Sequence, residues 1–118
     1  MNIIGPLVQI TQQLRIFHWQ TPSYSAHKAF GKTYDTVSDL IDTFIETYMG
    51  VYGRAKPTVT YNIELKSLVN DEVVNNVLNE FIVYLKSMSE EIESTDLLNI
   101  RDSILGEINT LKYLLTLS

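Results

Sequence analysis

Apolar residues recur in alternating steps of four and three along four stretches of this chain. In the first, Ile3, Leu7, Ile10, Leu14 and Phe17 share one face of a helix running from Ile3 to about Gln20. Pro6 falls in its first turn, where a missing N–H costs nothing. Gln9, Gln12, Gln13 and Arg15 occupy its other faces. Thr21-Pro22-Ser23 then breaks the pattern: Pro22 pushes Thr21 out of the helical region, and Ser23 or Ser25 can cap the next helix. A second stripe, Phe30, Tyr34, Val37, Ile41, Phe44 and Tyr48, predicts a long helix from about Tyr24 to Tyr52. A third helix begins near Asn70, with Asp71 and Glu72 in the first turn where carboxylates complement the helix dipole, and carries Val74, Leu78, Phe81, Leu85, Met88 and Ile92. After a very short turn, Ser94 or Thr95 caps a fourth helix bearing Leu97, Ile100, Ile104, Ile108, Leu111 and Leu115.

Four amphipathic helices in 118 residues make an all-α four-helix bundle, with the whole chain, 1–118, as one domain. Short connections make the first and second helices antiparallel neighbours, and likewise the third and fourth. The link between the second and third differs. Gly50, Gly53 and Pro57 stop the second helix, and Thr58-Val59-Thr60-Tyr61 looks extended, though too short and isolated for a sheet. A helix of ~25 residues is ~37 Å long, and a linker of ~16 extended residues reaches ~50 Å. The linker can therefore run the length of the bundle as a long crossover, the topology of ferritin-like folds. An up-down bundle with the linker looped out remains compatible with the same pattern.

Composition narrows the function classes. Apolar residues are 45% and charged residues 19%, a globular balance. No apolar run is long enough to span a membrane. Met1 to Pro6 lacks the features of a signal peptide, which leaves the cytoplasm as the expected compartment. The absence of cysteine removes disulfides, thiolate metal sites and thiol nucleophiles. A net charge of −5 with scattered basic residues argues against nucleic acid as a partner. Neither a phosphate-binding glycine loop nor a nucleophile elbow occurs.

The stretch from His18 to Glu46 carries the candidate chemistry. It holds both histidines, His18 and His27, and then Asp42 and Glu46, a ligand set suited to iron, zinc or manganese. Asp42 and Glu46 are one helical turn apart, so both can reach one ion. His27 lies fifteen residues earlier, ~22 Å along a helix axis, far beyond metal–ligand bonds of ~2.0–2.2 Å. The four cannot share an ion within one chain. They can across a two-fold axis near Asp35, with the second helix packed antiparallel on its copy and His18 folded back toward His27. Asp42 and Glu46 lie roughly 120° and 160° from the centre of the apolar stripe, so such a site needs a partner surface there. Gly31 and Ser38, small and seven residues apart, are expected to admit it. The expected assembly is a homodimer or a larger homo-oligomer.

The order His18-Trp19, then His27, Phe30, Tyr34, Asp42 and Glu46 resembles the signature of the Dps family, the mini-ferritins. The hydrophobic helices on either side are similar too. The resemblance implies a ferritin-like bundle and iron as the bound metal. It implies His18 and His27 as ligands from one subunit, with Asp42 and Glu46 supplied by the two-fold mate, and ferroxidase activity at that centre. The turn between the histidines is shorter than in that family, and Gly31 stands where the family has an Asp. The alternative expectation is a ferritin-like bundle without metal that serves as a dimeric structural or interaction module.

Overall fold

The computed structural model describes residues 2–57 and 60–117. Its helices are α1 (Ile4–Gln20), α2 (Tyr24–Tyr52), α3 (Asp71–Ser87) and α4 (Thr95–Leu114), with a short 3-10 turn, Met88–Glu90, after α3. Among the described residues there is no strand. Thr58 and Val59 of the expected extended segment lie outside the described residues, and Thr60 and Tyr61 have no regular structure.

The caps explain where the helices begin. Ser23 Oγ accepts the Ala26 N–H at 3.2 Å, and Asn70 Oδ1 accepts the Val73 N–H at 3.0 Å. Ser94 precedes α4 but donates to the Asp96 carboxylate rather than capping the backbone. Helix α3 stops before its apolar stripe does. Met88 and Ile92 remain buried beyond its end, so the core face continues through the 3-10 turn, where the Ile92 N–H donates to the Met88 carbonyl at 2.8 Å. Arg101 closes this end. Only 8% exposed, its guanidinium donates to the Leu85 carbonyl at 2.8 Å and Ser89 Oγ at 2.9 Å and pairs with Asp102.

The linker between α2 and α3 is a crossover. Helices α1 and α2 are antiparallel, with the Phe17 and Phe30 rings packed 5.6 Å apart beside the turn. The linker then returns alongside α1 in the direction of α1. The Glu64 N–H donates to Gln9 Oε1 at 3.0 Å, and the Leu68 N–H to Gln20 Oε1 at 2.6 Å. Between them Gln13 both accepts from the Lys66 N–H, at 2.8 Å, and donates to its carbonyl, at 2.7 Å. Three glutamines on one line of α1 thus serve as the linker's hydrogen-bonding edge. Helix α3 consequently starts at the end where α2 started and runs parallel to it. Tyr84 Oη, near the end of α3, reaches the Asn2 carbonyl at the start of α1. Helix α4 comes back, with Leu117 beside Ser25.

Each predicted stripe faces the shared core. Leu7, Leu14, Phe17, Val37, Phe44, Leu78, Leu85, Leu97, Ile104 and Ile108 are fully enclosed. Among the described residues, no helix is long and apolar enough to cross a membrane.

Candidate metal centre

His18 lies in the last turn of α1 and His27 in the first turn of α2, on either side of the tight Thr21–Ser23 turn. That turn brings the two rings face to face, with centroids 3.8 Å apart and planes 17° from parallel. Each ring is also tied to the other's backbone. His18 Nδ1 donates to the His27 carbonyl at 2.7 Å, and His27 Nδ1 donates to the His18 carbonyl at 2.8 Å. Since a carbonyl can only accept, the proton sits on Nδ1 in both rings. In the neutral rings the lone pair then lies on Nε2, the tautomer and orientation of a metal-binding histidine.

Gly31 makes this possible. A Cβ there would stand 2.9 Å from His18 Cε1 and 3.1 Å from Nδ1. The space expected to admit a neighbouring helix is filled by His18 of the same chain. The departure at Gly31 therefore has a local cause: any side chain would expel the imidazole.

Asp42 and Glu46 are exposed on the outward face of α2. The neighbouring Asp42, through a proton the two carboxyls can share and through its charge, holds the Glu46 carboxyl above its ordinary range. The structure brings the histidines together and the carboxylates together, but leaves the two pairs apart, the histidines at the α1–α2 turn and the carboxylates well along α2. Among the described residues, no three or more metal-binding side chains converge. Trp19 and Tyr34 flank Arg15, whose Cζ lies 5.2 Å and 4.7 Å from their ring centroids. No sequence signal singled out Arg15. The glutamine line is visible in the sequence as Gln9, Gln13 and Gln20 at helical spacing beside a long linker, though polar spacing alone names no partner.

The Dps resemblance does not stand. The family whose profile matches, over residues 18–115, is a different one, described as a family of unknown function (DUF5856). A similar protein is the uncharacterized 14.6 kDa protein of the mobD-ri intergenic region of Enterobacteria phage T4. It is 31% identical over 117 residues, covering 97% of this chain and 85% of the phage protein. No solved structure matches the chain. Part of the apparent signature has a plainer origin: Phe30 and Tyr34 fall where the apolar stripe of any such helix places them, and Phe30 is core.

Proposed function

We propose that this chain, which belongs to the DUF5856 family of unknown function, binds a transition-metal ion between the His18–His27 pair of one copy and the Asp42–Glu46 pair of another. The supporting observation is the crossed hydrogen bonding of the two imidazoles, which engages both Nδ1 atoms and leaves a lone pair on both Nε2 atoms. Imidazole and carboxylate together suit iron, with zinc and manganese as competitors. With the rings stacked 3.8 Å apart, their Nε2 lone pairs would converge on one ion only once the imidazoles turn out of the stack. With ferrous iron as substrate, oxidation by oxygen or peroxide would be the metal's chemistry, and the chain would set its coordination.

The carboxylates support the same reading from the other side. Asp42 and Glu46 press on each other's charge, and a cation between them relieves that repulsion. A second reading, a metal-free dimeric interaction module, draws on the same clasp, because its hydrogen bonds are complete without an ion.

Anaerobic titration with Fe(II), followed by calorimetry, separates the two. His27→Ala and Asp42→Asn are each expected to lose binding. Mixed and allowed to exchange, they form heterodimers with one intact site, restoring about a quarter of wild-type capacity under random pairing. Equal binding by wild type and both variants refutes the metal site, and loss without recovery on mixing refutes its sharing between copies.

A further inference from the structure

The outward face of α2 carries its charges in an order that works against its own helix. Lys28 and Lys32 come first, then Asp35, Asp39, Asp42 and Glu46, all exposed. At 100° per residue the six fall within an arc of about 80°, opposite the buried line of Phe30, Val37 and Phe44. A helix dipole favours carboxylates near the N-terminus and cations near the C-terminus, the reverse of this order. Spacing adds to the conflict. Lys28 with Lys32, Asp35 with Asp39, and Asp42 with Glu46 are like charges one turn apart, each pair unfavourable in an isolated helix. Among the described residues, none of the six meets an opposite charge. Lys28 lies over the Tyr24 ring at 5.4 Å, and the ion pair among those residues is Arg101 with Asp102.

A face with opposite signs on its two halves is complementary to itself when turned end for end. Antiparallel packing sets the lysines of each copy against the carboxylates of the other, twice over, whereas parallel packing sets like on like. The charge pattern places the midpoint near Asp35. Independently, pairing His27 with Asp42 of a second copy centres the contact between Tyr34 and Asp35. The same register sets Asp35 of the second copy opposite Tyr34. Arg15 lies on that tyrosine ring, with no carboxylate partner among the described residues.

We propose that the outward face of α2 is a homodimer interface in which two copies pack antiparallel about Asp35, with Lys28 and Lys32 against the partner's carboxylates and Arg15 against its Asp35. The fine register rests on the shared metal site proposed for the histidines and carboxylates; the antiparallel sense rests on charge alone.

The test is charge reversal, read by sedimentation equilibrium in chelator so that no metal contributes. Wild type is expected to dimerise and to weaken as salt rises. Lys28→Glu/Lys32→Glu makes the face wholly acidic, and Asp35→Lys/Asp39→Lys makes its centre basic. Each variant alone is expected to lose dimerisation by about 100-fold or more, since the first sets acid against acid along the whole face and the second sets lysine against lysine about the axis. An equimolar mixture is expected to form a heterodimer, because the wholly acidic face of the first variant then meets the predominantly basic face of the second. Recovery on mixing also shows that both variants fold, and circular dichroism checks each alone. Wild type remaining monomeric at about 0.1 mM, where micromolar association would be saturated, overturns the proposal. So do variants that dimerise like wild type, or folded variants that stay monomeric when mixed. None of the four substituted residues is a proposed ligand, so a dimer that fails to bind metal, or a metal-binding chain that fails to dimerise here, is recognised as such.

Discussion

Replacing Gly31 with alanine sets two effects of known sign against each other. In the interior of a helix, glycine to alanine is worth about 1 kcal/mol in favour of folding. At Gly31 the added Cβ would lie 2.9 Å from His18 Cε1, so the imidazole must leave. With it go the hydrogen bond from His18 Nδ1 to the His27 carbonyl, about 1 kcal/mol net, and the ring stack, worth ~0.5–1.5 kcal/mol beyond simple burial. The expected balance is a loss of about 1 kcal/mol. Gly106 supplies the control. It lies inside α4, exposed, and a Cβ there would meet nothing within 4 Å. Gly106→Ala should therefore gain about 1 kcal/mol by the same propensity, leaving a gap of about 2 kcal/mol between the variants. Urea unfolding monitored by circular dichroism measures it, with both variants at one protein concentration because association shifts apparent stability. If Gly31→Ala stabilises the chain as much as Gly106→Ala does, the imidazole is not seated against α2 and the clasp contributes nothing.

Four further outcomes rest on named contacts. Gln13→Ala removes both bonds to the Lys66 backbone from a side chain only 2% exposed; a loss of about 1–2 kcal/mol is expected, with the Lys66 amide exchanging faster by NMR while α4 amides keep their protection. Arg101→Met strips the Leu85 carbonyl of its guanidinium donor and should cost about 2 kcal/mol in thermal unfolding. Burial, with the charges of Tyr48 and Glu91, pushes the Tyr84 hydroxyl well above its ordinary range. The unfolded chain therefore releases that proton first, so stability should fall as pH rises above about 10, and Tyr84→Phe should flatten that limb in urea melts across pH. Glu46→Gln removes a carboxylate strained by Asp42, so at neutral pH it should leave the chain no less stable in urea melts while weakening Fe(II) binding in the anaerobic titration.

The bundle was largely readable because its helices obey local rules. Steps of three and four in the first and third stripes mark residues that are all buried, and Asn70 caps α3 where its type and position predict. The crossover was readable only as an allowance of length. Its path depends on Gln9, Gln13 and Gln20 meeting Glu64, Lys66 and Leu68, contacts spanning 48 to 55 residues that no periodicity reports. Arg101 escaped for a related reason. A basic residue one turn after Leu97, beside the apolar stripe, is buried because the end of α3 offers it a carbonyl, which its own helix does not report.

The candidate site divides along the same line between local and distant information. A proline-containing turn of three residues between two antiparallel helices places His18 near His27 whatever the rest of the chain does, so that pairing was within reach of the sequence. Its stacked, crossed form was not, because it depends on the missing Cβ of Gly31, which in sequence looks like room for another helix. Asp42 and Glu46 show the opposite limit. Their place opposite the core comes from counting residues, but among the described residues a lone chain gives two repelling carboxylates no counter-charge. Lys28 and Lys32 share that face and likewise meet no carboxylate there. The unbalanced charge of the C-terminal half of α2 equals in kind what its N-terminal half lacks, and on one straight helix the halves cannot meet. A second helix running the other way brings them together, and the same reversal carries the carboxylate pair toward the histidines.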